Sequence, residues 1–285
     1  MDAVLEAEAR ADVAGQIERA RRALVADELI PYLGPGLIDL EGAAAPASPE
    51  AVAAALNGRA PAPARIRTNM WSVAQFIESQ RHRKTLQAFM ADIFSAPVAP
   101  SSLQRFLASL PLSLIVDVWY DDALAQALRE AGRDDFVEIQ GVARSGFVDL
   151  WTRAYDSAGR ECPPDAALSA RTVLYSPHGG ARPANNFLVS DSDYVETLTE
   201  IDIQSPIPEA VKGRRSARGF LFLGCRFHDQ MLRTYARQIM KRSDGPRLAV
   251  MEASAMTRNE FKFLAEQRIE LIDAPLADAA RGLVG

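Results

Sequence analysis

Cysteine is scarce in this chain, and the two that are present, Cys162 and Cys225, lie far apart. This spacing excludes a disulfide framework and a four-cysteine zinc site. The chain also lacks an apolar run of about 18 residues, which a membrane-spanning helix would need. Its N-terminus is charged and rich in alanine, without the apolar core of a signal peptide. We therefore expect a cytoplasmic protein that does not use a membrane.

An excess of positive charge is absent too. Lysine and arginine number 32 against 37 aspartates and glutamates, for a net charge of −5. Without a basic field, nucleic acid is not an expected partner. The local basic cluster at Arg65, Arg67, Arg81, Arg83 and Lys84 is interpreted as a solvated helix face. With 285 residues, 48% of them hydrophobic, the chain can bury one large core, alone or with a subdomain.

Short apolar runs bounded by turn residues alternate with helical patterns along the chain. The runs that read as buried strands are 29–33, 112–118, 173–175, 219–223 and 248–251, and 269–272 follows near the end. This alternation predicts an α/β fold of three layers, Rossmann-like, with a mostly parallel sheet of about six strands. Residues 136–140 and 146–155 read as half-exposed strands, and 71–94 as helix. A leading helix over 2–26 either packs on the flank or mediates oligomerisation.

The first strand ends in the turn Gly34-Pro35-Gly36. Glycine tolerates positive φ and lets backbone N–H groups approach a ligand, so the turn is either a phosphate-binding loop or an ordinary turn. Three later stretches also follow predicted strands: 116–121, 175–180 and 220–229. Since ligands of parallel sheets bind at the carboxyl ends of the strands, we expect all four to meet around one cleft.

The order of these motifs resembles the Sir2-like family. The motifs are Gly34-x-Gly36, Tyr120-Asp121, His178-Gly179, and 220–224 followed by Asp229. This is a divergent prokaryotic branch related to sirtuins, which includes bacterial defence proteins that consume NAD. The resemblance covers about residues 25–283. It implies one NAD-binding domain over 1–285, with a small helical insertion at 38–110.

The resemblance also implies roles for individual residues. Gly34 and Gly36 would contact the pyrophosphate of NAD, and Gly224 with Cys225 would line the adenosine side. His178 would face the nicotinamide ribose, where an imidazole can accept a proton near pH 7. The alternative for His178 is a turn histidine bonded to backbone. Asp117 or Asp121 would supply a carboxylate beside it, whereas Asp229 is interpreted as a helix N-cap.

Three departures from the family pattern bear on activity. Pro35 removes a backbone donor, and the hydroxyl and arginine that follow this turn in sirtuins are missing. The family's Thr-Asn-Tyr-Asp or Gln-Asn-Ile-Asp reads Val-Trp-Tyr-Asp over 118–121, so Trp119 stands at the asparagine position. The paired zinc cysteines of protein deacylases are absent as well. An indole offers one N–H and no acceptor.

We therefore expect a protein that binds NAD or ADP-ribose through Gly34, Gly36, Trp119, Gly224 and Cys225, with weak or absent cleavage. In this interpretation the Trp119 ring faces the ribose. Trp119 could instead turn into the core, with Asp117 taking over its polar role. The alternative function is an NAD hydrolase that uses His178, and a protein deacylase ranks third. No resident metal is expected, and a protein partner or a homo-oligomer remains open.

Overall fold

The fold is described by a computed structural model over residues 2–143, 150–200 and 207–285. Its strands are β1 (Leu29–Leu33), β2 (Leu114–Asp117), β3 (Phe136–Gly141), β4 (Thr152–Tyr155), β5 (Glu161–Cys162), β6 (Thr172–Ser176), β7 (Gly179–Gly180), β8 (Asn186–Phe187), β9 (Gly219–Leu223), β10 (Arg247–Met251) and β11 (Ile269–Asp273). Its α-helices are α1 (Asp2–Val25), α2 (Pro49–Arg59), α3 (Met70–Arg81), α4 (Arg83–Ile93), α5 (Ser102–Ser109), α6 (Ala123–Glu130), α7 (Ala166–Ser169), α8 (Asp191–Glu200), α9 (Glu209–Arg215), α10 (Gln230–Met240), α11 (Arg258–Gln267) and α12 (Leu276–Val284). A 3₁₀ helix follows β1 over Pro35–Glu41.

The main sheet has nine strands in the order β11-β10-β9-β1-β2-β6-β3-β4-β5. All pairs from β11 to β3 are parallel, and only β4 and β5 are added antiparallel. The six predicted apolar runs became β1, β2, β6, β9, β10 and β11, so the α/β fold with a mostly parallel sheet is confirmed. The expected number of about six strands was too low, because short edge strands carry little apolar pattern.

Each central strand is buried on both faces, since successive side chains point to opposite sides. Ile30 and Tyr32 of β1 belong to one apolar cluster, which also contains side chains of α2, α3, α4 and α10. Leu29 and Leu33 belong to the other cluster, with side chains of α1, α5, α6 and α12. The sheet therefore lies between two helical layers, and this is the predicted three-layer arrangement.

The helices follow the sequence pattern with local differences. Helix α1 contacts α12 and β11, which fits the expectation of a flanking helix. Helices α2, α3 and α4 contact one another on one face, whereas α5 contacts α6 and α12 on the other. The segment 38–110 is thus helical, but its helices divide between the two layers. None of the helices in the described residues has an apolar stretch of the length that crossing a membrane requires.

Three local expectations differ from the structure. The helix predicted over 71–94 is interrupted at His82, whose φ of 71° breaks the helical backbone and separates α3 from α4. Strand β3 is fully buried, because its apolar side chains pack into both apolar clusters, one on each face of the sheet. Residues 146–149 of the other predicted half-exposed strand lie outside the described residues. Arg83 is only partly exposed, and its guanidinium donates to Asp193 Oδ2 at 2.7 Å.

Candidate functional site

A close seam between two chain segments forms the centre of the candidate site. Strand β1 pairs with β9 in parallel, and the turns that follow them continue the contact. The Gly34 N–H donates to the Leu223 carbonyl at 2.9 Å, and the Gly36 N–H donates to the Gly224 carbonyl at 3.0 Å. The Gly-Pro-Gly turn is therefore bonded to the end of β9.

Glycine at this seam is required by backbone packing. A Cβ on Gly34 would lie 2.5 Å from the Gly224 oxygen, and one on Gly224 would lie 2.5 Å from Leu37 Cδ1. Gly224 also has a φ of +66°, which favours glycine. Because the Gly34 and Gly36 N–H groups donate to the last residue of β9 and to Gly224 after it, and Pro35 has no N–H, these donors are already used. A phosphate at the seam must find its positive partner elsewhere.

Two cavities adjoin at the carboxyl edge of the sheet, one on each side of the seam. The first has a volume of about 450 Å³ and is lined by Tyr32, Ser48, Glu50, Val118, His228 and Thr257, among others. The second has a volume of about 450 Å³ and lies over β10 and β11, with Met251, Glu252 and Pro275 in its wall. Gly36, Asp39, Gly224, Cys225 and Arg226 line both. We call the two cavities together the cleft; two adjoining cavities could each take one end of a dinucleotide.

Arg226 is the cation that lines both cavities. Its Nε and Nη2 donate to the two carboxylate oxygens of Glu260 at 2.8 and 2.9 Å, and Nη2 also donates to the Ala255 carbonyl at 2.8 Å. Glu260 is completely buried and also accepts from the Phe227 N–H at 2.9 Å. Burial opposes the ionisation of Glu260, but Arg226 and backbone N–H donors lower its pKa to about 2. The Arg226 side chain is thus oriented, and it remains 43% exposed.

A second hydrogen-bonded pair of titratable side chains lies in the first cavity. His228 Nε2 donates to Glu50 Oε1 at 2.7 Å. The hydrogen bond that His228 donates to this carboxylate raises the pKa of His228 above its usual range, and the same bond lowers the pKa of Glu50. Glu50 belongs to α2, and His228 belongs to the segment between β9 and α10. The pair therefore bridges a helix that precedes β2 and the segment that follows the seam.

The sequence-predicted binding residues are divided by the structure. Gly36, Gly224 and Cys225 line both cavities, and Gly34 forms the seam without being among the lining residues. The Cys225 thiol donates to the Tyr32 carbonyl at 3.4 Å. Burial raises the pKa of this thiol well above its usual range, so the group stays neutral. Cys225 thus offers the cleft a small apolar side chain.

His178 lies behind the wall of the first cavity. Its Nδ1 is 3.0 Å from the carbonyl of the lining residue Val118, whose own N–H donates to the Leu33 carbonyl at 3.0 Å. This chain of bonds keeps the ring within roughly 12 Å of Gly34. Burial lowers the pKa of His178 to about 4, so the neutral ring donates through Nδ1.

The other nitrogen of His178 is enclosed. Only 2% of the residue is exposed, and Nε2 has no hydrogen-bond partner among the described residues. The rings of Tyr235 and Tyr194 lie against the imidazole ring of His178, at 4.5 and 5.1 Å between ring centroids. Within the described part of the chain, His178 is not among the residues that line the cleft.

Asp117 and Asp121 are also placed behind the cleft. Asp117 is 6% exposed and accepts from the Trp119 N–H at 3.2 Å. Asp121 accepts from the Ala123 N–H at 2.9 Å, at the start of α6. Burial raises the pKa of both carboxyl groups, and the charge of Asp121 adds to the effect on Asp117. Neither is among the described residues that line the two cavities.

Trp119 turns into the core. The residue is 4% exposed, its Nε1 donates to the Pro46 carbonyl at 2.8 Å, and its ring lies 6.1 Å from Phe94 and 5.1 Å from Tyr120 between centroids. This is the second of the two orientations considered from the sequence. Asp117 does not take over a polar role in the cleft, because it is buried as well.

Sequence reasoning missed the charged groups that do line the cleft. Asp229 was correctly interpreted as a cap, since its Oδ1 accepts from the Met231 N–H at 2.7 Å. Arg226 and His228 precede Asp229 in the same segment. They were not singled out as ligand-binding residues. Their position directly after the β9 glycine was the available signal. The pairing of His228 with Glu50 had no local signal.

Comparison with known proteins gives two matches. The sequence model of the SIR2-like domain matches residues 113–272. The NAD(+) hydrolase ThsA of Cytobacillus dafuensis is 26% identical over 162 residues, which is 57% of this chain and 28% of that protein. The chain thus spans well under a third of the length of this relative. Since the family match runs from just before β2 into β11 and takes in most of the sheet that carries the cleft, the chain belongs to the SIR2-like family.

Proposed function

We propose that this chain binds NAD along the cleft and hydrolyses its nicotinamide–ribose bond. The observation that carries the proposal is the pair of adjoining cavities at the carboxyl edge of a parallel sheet, where such folds bind their ligands. Membership of the SIR2-like family supports NAD as the ligand, and the printed activity of the ThsA relative supports hydrolysis.

Arg226 is the proposed partner of the diphosphate. It lines both cavities, so a diphosphate at their junction would leave one end of the dinucleotide in each. Its Nε and Nη2 already donate to Glu260 and Ala255, so Nη1 is the nitrogen that would donate to a phosphate oxygen. Because the N–H groups of Gly34 and Gly36 already donate across the seam, this side chain takes the place of the backbone cradle expected from the sequence.

The second candidate function is binding of NAD or ADP-ribose without cleavage. It is favoured by the burial of His178, the histidine that the family resemblance places at the ribose. The opposing observation concerns Trp119: its indole does not fill the first cavity, so it does not obstruct a substrate there, and the missing family asparagine is what still counts against cleavage.

The decisive experiment measures binding and cleavage on the same purified chain. Thermal unfolding with NAD or ADP-ribose at about 100 times the Kd should raise Tm by roughly 5–10 °C, because binding then contributes about 2.7 kcal/mol. Nicotinamide release would establish the hydrolase. Stabilisation without release would establish the binding protein, and the absence of both would refute the proposal.

A further inference from the structure

We propose that Glu50 and His228 are the acid–base pair of the cleft, with His228 as the general base that activates the attacking water. This inference rests on the proposed NAD hydrolysis and assigns its proton-transfer step. The three histidines of the chain are His82, His178 and His228, and His228 is the one that lines the first cavity.

The pair has the geometry of an oriented base. Glu50 Oε1 accepts from His228 Nε2 at 2.7 Å, which leaves Nδ1 of the neutral ring as the proton acceptor. A carboxylate on one imidazole nitrogen fixes the tautomer and stabilises the imidazolium that forms when the other nitrogen takes a proton. The side chains are 29% and 51% exposed, so water can reach them.

Both partners are held by their own segments. The Ala51 N–H donates to Ser48 Oγ at 3.1 Å and fixes the start of α2, where Glu50 lies in the first turn. On the other side, Arg233 Nη1 donates to the carbonyl of His228 at 2.7 Å. The segment is further fixed by the hydrogen bond between the Phe227 N–H and buried Glu260. The pair is therefore positioned before a ligand arrives.

The proposed step conserves atoms, electrons and charge. The bond between C1′ of the ribose and the pyridinium nitrogen breaks, and its electron pair returns to the ring to give neutral nicotinamide. A water oxygen bonds to C1′, and the water proton passes to His228 Nδ1 and then to solvent. The products are ADP-ribose, nicotinamide and one proton.

The pH dependence follows from the charges that face His228. Glu50 on α2 and Glu260 on α11 stabilise its protonated form, whereas Arg226 in its own segment opposes it. Asp39 lines the same cavity from the 3₁₀ helix. Because the base acts only when neutral, activity should fall as pH drops through the raised pKa of His228.

The test compares His228→Asn and Glu50→Gln with the control His82→Asn, which makes the same change at the break between α3 and α4. Nicotinamide release is followed between about pH 5 and pH 9, with ADP-ribose binding measured on each variant. We expect His228→Asn to lose at least about 100-fold in release while binding persists. In Glu50→Gln the amide oxygen still accepts from Nε2 but carries no charge, so the acid limb should move to lower pH.

Each other outcome is decisive. If His228→Asn releases nicotinamide within about threefold of wild type, the acid–base pair is refuted and the hydrolase stands. If the acid limb of the pH profile lies at the same pH in Glu50→Gln as in wild type, the acid–base pair is refuted as well. If the wild-type chain binds NAD but releases no nicotinamide at any pH, the pair and hydrolysis both fail and binding stands. If it binds neither ligand, the proposed function fails with the pair.

Discussion

Replacing Gly34 by alanine tests whether the β1–β9 seam requires glycine for packing. The added Cβ would lie 2.5 Å from the Gly224 oxygen and 2.8 Å from both Cα and Sγ of Cys225. Cβ contacts below 3.0 Å essentially never occur, and two of these three atoms belong to the backbone. The two turns must therefore move apart.

The cost has two parts. Forcing an extra methyl group into close-packed structure costs about 1–3 kcal/mol. Separation of the turns also breaks the hydrogen bond from the Gly36 N–H to the Gly224 carbonyl, which contributes about 0.5–1.5 kcal/mol. Together they predict a loss of roughly 2–4 kcal/mol in the free energy of unfolding. For a chain of this size, that lowers Tm by on the order of 5–10 °C.

The measurement is thermal unfolding of Gly34→Ala beside Gly58→Ala. Gly58 lies in α2, and a Cβ there would meet no atom within 4 Å. The control should gain about 0.5–1 kcal/mol, because alanine is the better helix former. Gly34→Ala should also bind ADP-ribose more weakly, since the displaced turn carries Gly36. A Tm for Gly34→Ala equal to that of wild type would refute this account of the seam.

Two further predictions concern buried groups. Burial raises the pKa of Glu138 from 4.5 to about 7, so the folded chain binds more protons than the unfolded chain in this range. Stability should fall by about 3 kcal/mol as pH rises from about 4.5 to above 7, and Glu138→Gln should remove that part of the dependence of Tm on pH. Trp119→Asn should lower stability by about 3–5 kcal/mol, through lost packing on Phe94, without increasing nicotinamide release. An increase would show that this side chain does reach the ribose.

The architecture could be predicted from the sequence because its strands and helices follow local patterns of apolar and polar residues. Continuous apolar runs predicted the parallel strands, and the capping boxes at Ser101 and Thr257 are equally local, since each relates a hydroxyl to the side chain three residues later. A strand-end motif also predicted which residues reach the carboxyl edge. It could not predict in which direction each side chain turns there, and this is why Trp119 and His178 are found in the core.

The charged lining of the cleft was beyond local reasoning for a different reason. Glu50 and His228 are separated by 178 positions, and no periodicity or cap relates them. Their contact depends on where the tertiary fold places the first turn of α2 relative to the segment that follows β9. The sequence also could not show where the N–H groups of Gly34 and Gly36 donate, since the turn has the same glycine pattern whether its donors bind a phosphate or a neighbouring strand.

The pairing of β1 with β9 also has a consequence for synthesis of the protein. Leu29 and Gly219 are partners across it, so a ribosome must complete most of the chain before the second half of the seam emerges. Until then the Gly34 turn has neither its hydrogen-bond partners nor a ligand cavity. Closure of so long a loop is costly in entropy, and a ligand that binds only the closed form shifts the balance towards it. If the chain binds NAD as proposed, NAD would then act as a folding ligand for the newly made chain.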